Sequence, residues 1–347
     1  MKKTTPYRKI LIVKPSSLGD VVHSLPFLNA IKSCFPHAEI HWLIARGLEE
    51  LVAGHPMIDT YISINKDTWK KIAETGRTLS EVKQLFKRLR GERYDLVIDL
   101  QGLLRSGILT MATQAPVRVG FSEAREGSRL FYNKKVSGGM NLHAVDRYLK
   151  VADALGCEKA SPCFPFPLVR DASDRRRELT GGCDYAVMVP GARWKTKMWP
   201  AEYFGLLAAQ LPIKTFVVGG TSDISIAEAV VRASEGRAVS LAGKTSLQEL
   251  ISIIRGARFV CSNDSGPMHI AAACTVPVIA IFGPTSPAKT GPYGDGHRIV
   301  SRNAVCSPCF KKKCKDMHCM NEIMVHDVYT QCADIIREKP SAQKRLP

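Results

Sequence analysis

Short apolar runs rich in β-branched residues alternate with helix-like stretches along the chain, and this alternation narrows the possible folds more than any other feature. Lys9 to Lys14 (KILIVK), Ala38 to Ile44 (AEIHWLI), Asp59 to Ile64 and Leu96 to Leu100 (LVIDL) read as strands in the first half. Tyr185 to Val189, Lys214 to Gly219, Ala238 to Leu241, Arg258 to Ser262 and Val276 to Phe282 (VIAIF at its core) repeat the pattern in the second. Strands joined by helix-length connections are expected to pair in parallel, in a sheet covered on both faces. Two such series predict two doubly wound α/β domains.

The helical segments fit that plan. Val21, Val22, Leu25, Leu28 and Ile31 form one apolar face of a helix starting near Asp20, with Pro26 bending or breaking it. From Thr78 to Arg90, Val82, Leu85, Phe86 and Leu89 line one side while Lys83, Lys87, Arg88 and Arg90 line the other. That basic face suits solvent, or an anionic membrane surface. His143 to Leu155, Pro200 to Leu211, Ser225 to Glu235 and Ser246 to Arg255 follow, the last opened by a Ser246/Glu249 capping box. The Pro-rich and then charged span from Gly156 to Gly182 reads as a linker. The expected division is a domain over 1–165, a linker over 166–182, a domain over 183–324, and a closing helix with a basic tail that frays over 325–347.

The stretch Cys261 to Ala273 (CSNDSGPMHIAAA) runs a buried strand directly into a helix. Asp264 or Ser265 suits the cap, Pro267 the first turn, and Gly266 the close approach of a ligand to the backbone. The N–H groups of such a helix hold phosphate, and an aspartate beside them serves better as an acceptor for sugar hydroxyls. A plain N-cap explains this junction when it is taken alone. In the first half, Asp20 falls in the first turn after the first strand, at the sheet edge where open α/β folds bind ligands. It reads as a cap or as a general base.

Lys and Arg number 49 against 32 Asp and Glu, a formal charge of +17, which favours acidic partners such as nucleotides, phosphorylated lipids or nucleic acid. The basic residues of Val117 to Lys135 interleave with aromatics, a mixture suited to acidic groups of a polar lipid or to nucleic acid. No uncharged apolar run approaches the length of a membrane span, and the N-terminal MKKTTPYRKILIVKPSS enters a strand instead of a signal-peptide core. A cytoplasmic location is expected. Of the eleven cysteines, most stand singly in apolar segments. Cys306, Cys309, Cys314 and Cys319 cluster in CSPCFKKKCKDMHC, whose spacing matches no standard metal pattern; zinc, an iron–sulfur cluster, a labile disulfide and a reduced loop stay open.

Several chemistries are set aside. No GxGxxG follows the first strand, Ala238 stands where a phosphate-binding loop ending at Gly243, Lys244 and Thr245 needs glycine, and there is no HExxH or nucleophile elbow. Base, cation and helix dipole remain, a set suited to displacing a nucleoside diphosphate from a sugar carbon. Lys197, in the loop GARWKTKMWP, is the candidate cation.

The segments PSSLGDVVHSLP, DLQGLLRSG, AREGSRLFYNKK, HAVDRY, KMWP, SNDSGPMHIAAA and FGPTSP occur in this order from the first strand to about Gly294. Together they resemble the bacterial heptosyltransferases of glycosyltransferase family nine, most of all those that add the first heptose to the lipopolysaccharide inner core. The resemblance implies a GT-B fold of two Rossmann-like, doubly wound parallel-sheet domains facing across a cleft. It implies inverting, metal-independent transfer from ADP-heptose to a Kdo-lipid A acceptor, with no cofactor. The enzyme would be cytoplasmic and peripheral on the anionic inner face of the inner membrane, with no nucleic acid among its partners. By the same resemblance Asp20 is the base. Lys197, Arg193, Asp264, Ser265, Gly266 and His269 bind the donor, and Arg105, Arg125 and Arg147 face the acceptor. Gly191, Ala192 and Arg193 replace hydroxyl residues usual in the donor loop, so Arg193 or backbone takes over their phosphate contacts. The cysteine-rich loop looks more like that of enzymes adding later heptoses. A sugar-nucleotide epimerase or hydrolase of the same architecture, and a basic nucleic-acid binder, are the alternatives.

Overall fold

The computed structural model describes residues 7–65, 76–159, 161–167, 170–302 and 304–338. The tail expected to fray, 339–347, lies outside the described residues, as do positions 168 and 169 of the linker span. The chain divides into two compact units, Met1–Leu168 and Val169–Pro347.

In the first unit the strands are β1 (Lys9–Val13), β2 (Glu39–Ala45), β3 (Thr60–Ile64), β4 (Leu96–Asp99), β5 (Val117–Phe121) and β6 (Lys134–Val136). They form one six-stranded sheet in the order β3-β2-β1-β4-β5-β6. Every neighbouring pair is parallel. Its helices are α1 (Leu18–His23), α2 (Leu25–Cys34), α3 (Gly76–Gly91), α4 (Leu104–Ala112) and α5 (Ala144–Ala154). The break at Pro26 is real: Ser24 ends α1 and opens α2, and proline sits in the first turn of α2, where its missing N–H costs no intrahelical bond. Leu85, Phe86 and Leu89 of α3 pack against Leu11, Leu43 and Val97, while Lys83, Lys87, Arg88 and Arg90 are exposed.

The second unit repeats the design. Its strands are β7 (Tyr185–Val189), β8 (Lys214–Val217), β9 (Ala238–Ser240), β10 (Phe259–Asn263), β11 (Val278–Phe282) and β12 (Arg298–Ser301), ordered β12-β11-β10-β7-β8-β9 and again all parallel. Around them run α6 (Arg170–Thr180), α7 (Ala201–Gln210), α8 (Ile224–Ala233), α9 (Leu247–Arg255), α10 (Gly266–Ala273), α11 (Pro287–Thr290), α12 (His318–Asn321) and α13 (Val325–Arg337). The strands β7, β10 and β11 are buried at every residue, as a sheet covered on both faces requires. Among the described residues no helix is long and apolar enough to cross a membrane.

The structure adds to the sequence reading in two places. The charged run within the linker span is α6, with Ala172 and Thr180 buried and Arg175 3.7 Å from Glu249 of α9. The basic, aromatic stretch from Val117 to Lys135 holds β5 and β6. There Arg118 is committed to backbone, its Nε donating to the Phe131 carbonyl at 3.0 Å and its Nη1 to that of Ala115 at 2.7 Å. Gly120 of β5 lets the Tyr132 ring lie flat on the strand, so that the phenol reaches Asp99 Oδ2 at 2.6 Å. A Cβ on Gly120 would collide with that ring. Gly120→Ala is therefore expected to lower unfolding free energy in urea by about 1–3 kcal/mol, the usual cost of overpacking. An unchanged midpoint would mean the ring can move aside freely.

Candidate active site

In each unit the strand order reverses beside one strand, between β1 and β4 in the first and between β7 and β10 in the second. Connections leaving the two strands at such a point run to opposite faces, which opens a crevice at their carboxyl ends. Asp20 follows one strand of the first pair, and Lys197, Asp264, Ser265 and Gly266 follow the two strands of the second.

In the second unit β10 ends at Asn263, Asp264 follows it, and Ser265 is the N-cap of α10, whose first residue is Gly266. Asp264 is only 6% exposed and accepts two hydrogen bonds on Oδ2, from Lys197 Nζ at 2.6 Å and from Thr285 Oγ1 at 2.7 Å. The lysine also lies over the Trp194 ring, 4.8 Å from its centroid. Cation, carboxylate and helix N-terminus thus meet at one strand end. Asn263 ties the edge together: its Nδ2 donates to the Pro190 carbonyl at 2.8 Å and its Oδ1 accepts from the Trp199 N–H at 3.1 Å. Both bonds hold the loop 190–199 against the end of β10. Asp223 abuts the same loop, since a Cβ on Gly191 would lie 2.7 Å from its carboxyl carbon. His269 is buried one turn into α10, and Arg193 is exposed on the loop.

In the first unit Asp20 stands in the first turn of α1. Its Oδ2 accepts from the Ser17 N–H at 2.8 Å and the Ser17 hydroxyl at 2.6 Å, while Oδ1 faces Lys14 Nζ at 3.6 Å. The Asp20 side chain keeps 41% exposure and that of Lys14 only 3%. Burial works against the Lys14 charge, but Asp20, then Tyr148 and Asp99, outweigh it, and the lysine pKa is raised above its ordinary value. Lys14 is thus a fixed ammonium behind Asp20. Asp99, at the end of β4, accepts from the N–H groups of Gln101 at 2.8 Å and Gly102 at 3.0 Å. Burial raises its pKa, and the bonds from Tyr132, Gly102, Ser106 and Gln101 oppose that rise.

The three arginines read as acceptor ligands differ in setting. Arg105 is exposed in the first turn of α4, and Arg125 is exposed on a loop whose N–H donates to the Gly102 carbonyl at 3.0 Å, so both belong to the β4–β5 edge. Arg147 of α5 is half-buried, with its guanidinium 4.3 Å from the centroid of Phe121. A ring of that kind stabilises a cation while leaving its N–H edge available for anions.

Lys14, Asp99, Asn263, Thr285 and Asp223 escaped the sequence reading as site residues. The FGPTSP segment contains Thr285, but its bond to Asp264 spans 21 positions and no spacing rule points to it. In the cysteine loop, Cys319 is buried, and it lines one cavity with Cys306, Cys309 and Cys314.

Removing one partner of the Lys197–Asp264 pair leaves a largely buried charge, whereas removing both does not. Lys197→Met, Asp264→Asn and the double variant are therefore expected to be non-additive in urea unfolding, with a coupling of about 1–3 kcal/mol. Additive losses would mean that the pair adds no stability of its own.

Comparison with known proteins identifies the fold. The model of glycosyltransferase family 9 (heptosyltransferase) matches residues 82–320. Lipopolysaccharide heptosyltransferase 1 of Pseudomonas aeruginosa is 33% identical over 319 residues, covering 88% of this chain and 87% of that protein. Its namesake from Escherichia coli K12 is 31% identical, covering 84% and 92%. The E. coli heptosyltransferase WaaC, solved with ADP, superposes with a TM-score of 0.78 at 26% identity over 94% of this chain and 99% of that one. The same enzyme solved with ADP-2-deoxy-2-fluoro heptose gives 0.76 at 26% identity, again over 94% and 99%. The chain has the GT-B fold and belongs to glycosyltransferase family 9, the heptosyltransferases.

Proposed function

We propose that this glycosyltransferase transfers heptose from ADP-heptose to a Kdo-lipid A acceptor, forming the first heptose linkage of the lipopolysaccharide inner core. The observation that carries the reading is Lys197 held 2.6 Å from Asp264 at the N-terminus of α10. A nucleoside diphosphate presented to that edge meets an ammonium and the unpaired N–H groups of the helix. Lys197 has an alternative partner in the diphosphate, and its shift from carboxylate to phosphate frees Asp264 to accept from sugar hydroxyls. Arg193, Ser265, Gly266 and His269 complete the donor side. As the bond to the anomeric carbon breaks, these groups stabilise the charge gathering on the departing ADP.

Asp20 in the first unit is the proposed base. It takes the proton from the attacking acceptor hydroxyl, whose oxygen forms the new bond as ADP leaves, and the anomeric configuration inverts. No step requires a metal. Arg105, Arg125 and Arg147 are the proposed contacts to the acidic acceptor. Leu104 and Leu130, 42% and 78% exposed, stand beside exposed Arg105 and Arg129 in the same unit. Apolar side chains among arginines suit an anionic bilayer surface, in keeping with peripheral attachment to the inner face of the inner membrane. Nucleic acid has no part in this scheme.

The test follows ADP release from ADP-heptose with three acceptor conditions: Kdo-lipid A, a heptosylated acceptor, and none. Turnover is expected with Kdo-lipid A. Turnover only with the heptosylated acceptor would assign a later heptose, and equal release without any acceptor would indicate a hydrolase. Asp20→Asn is expected to lower kcat by about 10²–10⁴-fold, the usual contribution of a general base, with ADP affinity nearly intact. Lys197→Ala is expected to weaken both turnover and ADP binding. An Asp20→Asn enzyme that kept most of its turnover would overturn the base assignment.

A further inference from the structure

The four clustered cysteines have no part in the chemistry above. Cys306, Cys309, Cys314 and Cys319 line one small cavity of about 30 Å³, together with Thr196, Pro284, Lys311, Met317 and His318. We propose that these four thiols bind one zinc-class divalent ion, each cysteine supplying one sulfur. This ion is structural, and the transfer reaction does not use it.

Four sulfurs make a complete tetrahedral set for zinc, leaving no open position for substrate. His318 lies beside them but is already engaged, with Nε2 2.6 Å from Asp316 Oδ2 and Nδ1 3.6 Å from Glu322 Oε1. The ligand set is therefore sulfur alone. Cys314 Sγ accepts the Met317 N–H at 3.5 Å, a bond of the kind that orients and stabilises a coordinating thiolate. Four thiolates around a divalent cation carry net negative charge, and Lys311, Lys312, Lys313 and Lys315 in the same loop offset it.

All four cysteines are free thiols, and among the described residues no three such groups are already gathered as a metal-holding set. Cys306, Cys309 and Cys314 lie on irregular backbone outside helix and strand, so rotation about their side-chain bonds can draw the sulfurs inward without breaking regular structure. On binding, the thiol protons pass to solvent as metal–sulfur bonds form.

The loop touches the donor edge at three points. The Ser307 hydroxyl donates to the Gly283 carbonyl at 2.5 Å, the Phe310 N–H to that of Pro284 at 2.8 Å, and the Thr196 hydroxyl to that of Lys311 at 2.9 Å. Thr196 precedes Lys197, and Pro284 precedes Thr285. A metal at the cavity would fasten the two segments that hold Asp264. That consequence rests on the donor reading of the site, whereas the metal site itself does not.

The test titrates the reduced, metal-free full chain with Co²⁺ and then with Zn²⁺. One equivalent of Co²⁺ is expected to give the visible spectrum of a tetrahedral tetrathiolate, which Zn²⁺ then bleaches. Absence of that spectrum from the folded wild-type protein overturns the proposal whatever the variants do. Cys309→Ser and Cys314→Ser are expected to abolish the signal, and Cys163→Ser with Cys183→Ser, exposed cysteines outside the loop, to leave it intact. A signal that survives loss of both Cys309 and Cys314, or that disappears in the Cys163/Cys183 control, also overturns it. None of these readings depends on heptose transfer, so a failure here is distinct from a failure of the proposed activity.

Discussion

Parallel pairing of β7 with β10, and of β1 with β4, is the constraint on which the site depends. A sheet buried on both faces gives its strands no room for polar side chains along their length, so polar groups collect where the strands end. At the reversal of strand order the neighbouring connections diverge, which opens a crevice beyond the strand ends. Asp99 pairs in register with Val13, and Ser262 with Val189. The loops that follow carry Asp20, Lys197, Asp264 and Ser265. Apolar burial along the strands therefore decides where the charged groups stand.

The two edges solve different electrostatic problems. The second unit keeps Lys197 against a nearly buried Asp264, a pair whose desolvation costs are offset by mutual attraction and which, in the proposed mechanism, exchanges carboxylate for phosphate. The first unit places a half-exposed carboxylate in front of a buried ammonium, so Asp20 meets solvent on one side and Lys14 on the other. The proposed roles, catching a departing diphosphate and accepting a proton, call for these opposite arrangements. One strand order, used twice, serves both because only the residues after the strands differ.

Most of this was readable before any coordinates. The strands buried on both faces announced themselves as unbroken apolar runs, and they are the ones that build the two reversal points. Three strands went unread, each for a physical reason. In β5, VRVGF contains an arginine whose guanidinium is consumed by the Phe131 and Ala115 carbonyls, and charge in a strand reads as surface. The edge strand β6, KKV, shows two lysines to solvent, and edge strand β12 begins with Arg298. Helix α6 was masked by its polar composition and becomes intelligible through its contact with α9. Lys197 and Asp264 could be nominated separately from local pattern, yet their bond spans 67 positions, and that of Asn263 to Pro190 spans 73. Such partnerships are properties of the folded chain alone.

Ser17 has a consequence for Asp20. Its N–H and hydroxyl both grip one oxygen of the carboxylate, which fixes the torsion of the side chain and leaves the other oxygen in a set direction. In the proposed role of base, the rotational freedom that a free aspartate would lose on every cycle is surrendered once, as α1 forms. The orientation of the proposed proton acceptor is thereby inherited from a helix terminus, through a serine at its cap.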